Sequence, residues 1–202
     1  MTITLAPPPA TRTPKAGDYE RFPNMESRNG LQAAVEVPLL VRLLRLPTGG
    51  RLLEVGCGRG VALPVLAERL APASVTGIDV DAEALEEAAR RAAAAGLRAA
   101  LHAADVRALP FEDASFDLVI DFGTCYHVSG GEDGRGAALA EIARMLRPGG
   151  LFVHETRVAQ RLAHPVRSRG RRLPWNAAPA LVPSHSAMLW AVRCKCGDLD
   201  TY

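Results

Sequence analysis

The sequence predicts an α/β protein built on a mostly parallel sheet. Two observations carry this. From residue 51 onward, short apolar runs alternate with helical segments of about 10–15 residues, the pattern of repeated strand–helix–strand units. Turn-forming residues sit at the joints: Gly56, Gly58 and Gly60 after the first run, Asp81 and Gly96 around a helix, and Pro148-Gly149-Gly150 before the fifth run.

The elements follow in order. Residues 1–17 carry Pro7, Pro8, Pro9 and Pro14 with few large apolar groups, which predicts a disordered or extended tail. Residues 18–48 predict a helical N-terminal lid. In it, Leu39, Leu40, Leu43, Leu44 and Leu46 give an apolar face, and Pro38 predicts a kink or restart. Arg51–Val55 ends in the glycine cluster and reads as a buried strand. Residues 61–70 read as a helix that tolerates Pro64 in its first turn. Ser74–Asp79 is the next strand, and Asp81 can cap a helix over 82–95 that Gly96 ends. Ala99–Ala103 is a third strand and Phe116–Asp121 a fourth. Leu139, Ile142, Ala143 and Leu146 fall at i, i+3, i+4 and i+7, one buried helical stripe. Residues 151–156 form a fifth strand and 187–195 a closing one, after a weakly patterned stretch rich in Arg and Pro.

Composition excludes several classes. With 202 residues, 48% hydrophobic and 23% charged, the chain is an ordinary globular protein rather than a fibre or a disulfide-stapled miniprotein. Its net charge of +2 favours no particular partner, but the charge is split. Residues 1–155 hold 16 basic and 20 acidic groups, whereas 156–195 hold 8 basic and none acidic. Four scattered cysteines read as reduced thiols, Cys57 and Cys125 as packing residues, and Cys194-x-Cys196 lacks a second pair for zinc. Without a signal peptide or a long apolar run, the expected location is cytoplasmic, with no membrane partner.

The chemistry concentrates at the strand ends. Gly56, Gly58 and Gly60 let backbone approach a ligand, and the next helix points free N–H groups at it. Such a loop suits a carboxylate or phosphate attached to a nucleoside. The dinucleotide pattern Gly-x-Gly-x-x-Gly fails in both registers, at Val61 and at Leu63, which weighs against NAD and an oxidoreductase. Asp79, 21 residues after Gly58, can accept both hydroxyls of a ribose. Asp105, after the third strand, is placed to accept from an adenine amino group while Val80 and Val106 flank the ring.

LLEVGCGRG, VTGIDVD, AADVRALPFEDASFDLVI and EIARMLRPGGLFV resemble, in order and spacing, the motifs of class I S-adenosylmethionine-dependent methyltransferases, most closely the small-molecule branch that includes ubiquinone/menaquinone-biosynthesis enzymes. The resemblance covers residues 50–156. It implies a Rossmann-like, doubly wound sheet with helices on both faces and a C-terminal antiparallel strand, and makes 49–202 the cofactor-binding domain. It places Gly56, Cys57, Gly58 and Gly60 beneath the methionine part of S-adenosylmethionine. Glu54 orders that loop and faces the amino group through water, Asp79 holds the ribose, and Asp105 with the Val106 backbone holds adenine. Asp121, by side chain or main chain, approaches the methionine ammonium. Where relatives carry a His-His pair, this chain has Tyr126 and His127.

The expected reaction is in-line methyl transfer to a small-molecule acceptor. His127 is the candidate general base, and Tyr126 orients the acceptor. Tyr19, Phe22 and the helix after them form a lid, with Arg28 facing the cofactor carboxylate. His154 reads as structural. The Arg167, Arg169, Arg171 and Arg172 cluster is either a solvated loop or a site for an anionic acceptor. Too few aromatic groups accompany it for nucleic acid, which is not expected as a partner. A pocket completed by a second subunit would make a homodimer. The competing reading is a partner subunit that binds the cofactor without turnover.

Overall fold

The computed structural model describes residues 3–4, 25–157, 167–168, 171–172, 180–183 and 188–194. The five expected strands are β2 (Arg51–Val55), β3 (Ser74–Asp79), β4 (Ala99–Ala103), β5 (Phe116–Asp121) and β6 (Leu146–Arg157), after a two-residue β1 (Ile3–Thr4). They pair in parallel in the order β4-β3-β2-β5-β6. β7 (Arg167–Ser168) and β8 (Arg171–Arg172) pair antiparallel as a separate two-stranded ribbon. In the main sheet, β9 (Ala180–Pro183) runs antiparallel to β10 (Met188–Cys194), and β10 runs antiparallel to β6. β1 adds to the outer edge of β4, so two residues of the expected disordered tail are extended edge strand.

Helices cover both faces. On one, α2 (Val37–Leu44), α3 (Ala62–Leu70) and α4 (Ala82–Ala94) bury Leu40, Leu63, Leu66, Leu85 and Ala88 against Leu52, Leu101, Leu118 and Ile120. On the other, α6 (Gly131–Met145) buries Ala138, Ile142 and Ala143 against Leu53, Val55, Val119 and Phe152. Alternate residues of each strand therefore serve alternate cores, as a two-faced sheet requires. The connections from β2 to β4 travel one way and those from β5 to β6 the other. The reversal lies between β2 and β5, and a cleft at the carboxyl ends of the strands there is where such sheets bind ligands.

Three local features differ from the sequence reading or refine it. The N-terminal helix runs from α1 (Met25–Leu31) through a π-helical turn (Gln32–Glu36) into α2, with Pro38 in the first turn of α2. Pro38 has no N–H and its ring crowds the carbonyl four residues back, and the widened turn accommodates both. Its i to i+5 bond, from the Val37 N–H to the Gln32 carbonyl, puts Gln32 and Val37 on one buried face. Leu146 belongs to β6 rather than to the helical stripe. β6 starts directly after α6 and bulges through Pro148-Gly149-Gly150: Phe116 opposes Leu146, yet Leu118 opposes Leu151. Asp81 does cap α4, its Oδ1 accepting from the Glu83 and Ala84 amides at 3.0 and 3.2 Å.

Candidate active site

The three loop glycines all have positive φ: +64° at Gly56, +50° at Gly58 and +68° at Gly60. Two of them also allow close packing. A Cβ on Gly56 would fall 1.7 Å from Thr124 Oγ1, and one on Gly60 would fall 2.7 Å from the Ala88 Cβ. The loop is thus pressed against the end of β5 on one side and against α4 on the other. Between them, the Cys57 amide donates to the Ile78 carbonyl at 2.8 Å, and the buried Cys57 side chain fills the space over Gly77.

Three carboxylates stand at the ends of adjacent strands β3, β2 and β5. Glu54 is 2% exposed, and its Oε2 has no hydrogen-bond partner among the described residues. Burial pushes its carboxyl well above the usual range, Asp79 and Asp121 push it further, and Arg28 of α1 opposes them. Arg28 donates to the buried Gln32 at 3.2 Å, so the N-terminal helix does bring a cation toward this cleft. Asp79 accepts from the Gly58 amide with Oδ2 at 2.8 Å and from the Asp81 amide with Oδ1 at 2.9 Å, and burial raises its pKa.

Asp121 is 0% exposed. Its oxygens accept from the Thr124 amide at 2.6 Å and the Cys125 amide at 3.2 Å, and the Cys125 thiol bonds to it as well. The carboxylate therefore braces α5 (Thr124–His127), and only its main chain is left to meet a ligand. Burial raises its pKa to about 6. His127, at the end of α5, is exposed, and the backbone of Tyr126 lies in the same helical turn.

On the adenine side, Val80 is 51% exposed and remains a candidate ring contact. Val106 is 5% exposed with its side chain in the α6-side core, so its expected ring contact falls to its backbone. The Asp105 carboxylate is forked by Arg107, whose Nε lies 2.9 and 3.0 Å from its two oxygens, and this pair lowers the Asp105 pKa. With its amide, Arg107 makes four bonds to this carboxylate, about as many as a carboxylate accepts, so an adenine amino group reaches Asp105 only by sharing or displacing one of them.

The sequence reading missed Arg107, Thr124 and Gln32. Arg107 sits two residues after Asp105 within the AADVRALP motif, a signal that could have marked it, whereas nothing local marks Thr124 or Gln32. The sequence reading also has His154 as structural. His154 is half-buried, stacks on Phe152 at 4.7 Å and 6°, and opposes Asp121 in the register of β5 and β6. Tyr19, Phe22, Arg169 and Cys196 lie outside the described residues. Among the described residues no group of three or more His, Cys, Asp or Glu side chains could hold a metal. No described helix is long and apolar enough to cross a membrane.

The donor set fits S-adenosylmethionine: the orphaned Glu54 oxygen suits its ammonium, the glycine loop leaves room for backbone approach, and Asp79 and Asp105 stand at successive strand ends. Comparison with known proteins agrees. Residues 52–150 match a methyltransferase domain family. The fatty-acid O-methyltransferase of Mycolicibacterium smegmatis is 39% identical over 106 residues, 52% of this chain and 36% of that protein. This chain thus spans about a third of that relative's length. The cyclase SpnF is 33% identical, covers 59% of this chain and 43% of its own, and superposes with a TM-score of 0.52. The PH0226 protein of Pyrococcus horikoshii, at 19% identity, covers 86% of this chain and 92% of its own with a TM-score of 0.65, a likeness of fold. The family match is to the methyltransferase domain at large, broader than the branch expected from the motifs. Sheet order, glycine loop and family match converge on one assignment: residues 52–150 form a methyltransferase domain of the class I S-adenosylmethionine-dependent family.

Proposed function

We propose that this chain binds S-adenosylmethionine and transfers its methyl group to an oxygen of a small-molecule acceptor. The observation that carries the reading is the buried, unpartnered Glu54 oxygen beside the glycine loop. A buried carboxylate oxygen without a donor costs about 1–3 kcal/mol or more, and an ammonium supplies the missing donors. The cofactor brings a methyl group already activated on a sulfonium. The chain's own work is then to hold and align. The glycine loop admits the methionine part, with Glu54 as ammonium partner and Arg28 as carboxylate partner. Asp79 takes the ribose and Asp105 the adenine amino group. The acceptor enters over the ends of β5 and β6, where α5 carries Tyr126 and His127. His127 takes the hydroxyl proton as the acceptor oxygen attacks, and Tyr126 orients that oxygen. Oxygen as the acceptor atom follows the fatty-acid O-methyltransferase to which the chain is similar.

A second reading is a cofactor-bound scaffold that does not methylate, in line with the likeness to a cyclase. One experiment separates the two. S-adenosylhomocysteine is titrated calorimetrically, and labelled S-adenosylmethionine is then offered with fatty acids and hydroxylated small molecules. Binding with label in an acceptor supports the main reading. Binding without transfer to any acceptor supports the second. No binding overturns both.

A further inference from the structure

Arg107 makes two unlike connections. Toward its own loop it closes on Asp105: Nε donates to both carboxylate oxygens at 2.9 and 3.0 Å, Nη2 donates to Oδ2, and the Arg107 amide adds a bond to Oδ1 at 2.9 Å. Away from it, Nη1 donates to the carbonyl and the hydroxyl of Ser129 at 3.3 and 3.1 Å. Ser129 lies two residues past His127, in the turn between α5 and α6.

That turn is set closely. A Cβ on Gly134 would come within 2.0 Å of the Ser129 carbonyl oxygen, so α6 admits the carbonyl only because residue 134 is glycine. Gly130 and Gly131, at φ +94° and +59°, reverse the chain just after it. One guanidinium therefore ties the carboxylate at the end of β4 to the segment that carries Tyr126 and His127. These two places are on opposite sides of the β2–β5 reversal.

We propose that Arg107 is a positioning residue that transmits cofactor binding at Asp105 to the α5–α6 turn, so that the acceptor side of the cleft is set by the bound nucleoside. The inference rests on the cofactor reading above. A planar fork serves its acceptors in fixed geometry, so a shift of the Asp105 carboxylate toward an adenine amino group turns the same plane that holds Ser129. A lysine would keep the charge but not the fork.

The test is amide hydrogen exchange on the full chain, with and without saturating S-adenosylhomocysteine, in wild type, Arg107→Ala and Arg107→Lys. In wild type the nucleoside should slow exchange at both 104–108 and 126–131. In the variants it should still slow 104–108, while its effect on 126–131 falls at least fivefold. The readout is the change caused by ligand, which a merely structural role of Arg107 does not move. Equal ligand-dependent slowing of 126–131 in wild type and either variant overturns the proposal. So does wild type that slows at 104–108 alone. If the nucleoside neither binds nor slows either segment, the cofactor reading fails first and takes this inference with it. Arg107→Lys carries the test alone if the alanine variant does not fold.

Discussion

The amide of Gly58 lies 2.8 Å from Oδ2 of Asp79, so the middle of the glycine loop is held by the carboxylate that ends the next strand. Asp79 thus has two tasks, fixing the loop and accepting from the proposed ribose. Asp79→Ala is expected to weaken S-adenosylhomocysteine binding by on the order of 2–3 kcal/mol, the scale of a lost charged hydrogen-bond pair. Asp79→Asn, which keeps one acceptor oxygen, should fall between. Calorimetric affinities check this, and an alanine variant that binds as tightly as wild type removes Asp79 from the site.

Gly60 meets the backbone of α4. A Cβ there would lie 2.7 Å from the Ala88 Cβ and 2.9 Å from its Cα, at a φ of +68°. Gly60→Ala should destabilise the protein by about 1–3 kcal/mol, the cost of overpacking, with left-handed strain added. Ala88→Gly should not restore it, because the clash with the main chain of residue 88 and the positive φ both remain. Urea midpoints of the single and double variants decide it.

Two aspartates on β5 should respond to pH with opposite sign. Asp121 is raised from 3.8 to about 6 by burial, so the folded protein holds its proton more tightly than the unfolded chain. Its contribution is present below about pH 4 and is lost as pH rises through 6, on the order of 3 kcal/mol in all. Asp121→Asn should flatten the fall in stability between those values. Asp117 is lowered from 3.8 to about 2 by hydrogen bonds from Arg51 and Arg147. Its contribution is present above about pH 4 and lost as pH falls through 2. Asp117→Asn should cost about 1–2 kcal/mol at neutral pH, after screening of these partly exposed arginines. Denaturation curves from pH 3 to pH 8 separate the two.

His127 is exposed at the end of α5. His127→Ala should leave S-adenosylhomocysteine affinity within about twofold and lower kcat by about 10²-fold or more, the usual range for a lost general base. A variant with full activity at every pH takes His127 off the catalytic list.

The sequence alone settled β2 to β5 with their limits, the Asp81 cap and the glycine loop, because short apolar runs, caps and left-handed turns are local properties written in neighbouring residues. It placed Glu54, Asp79 and Asp121 at the ends of strands and Asp105 just past one, where the fold has them. It did not say which of those carboxylates stay available. Only the tertiary structure put Asp121 under α5 with its oxygens taken, gave Asp105 to Arg107, left an oxygen of Glu54 bare, and set Thr124 against Gly56. Those outcomes depend on the strand order and on the bulge and π turn that adjust the elements to it. Strand order is fixed by long-range packing on two faces at once, and no stretch of sequence contains that information by itself.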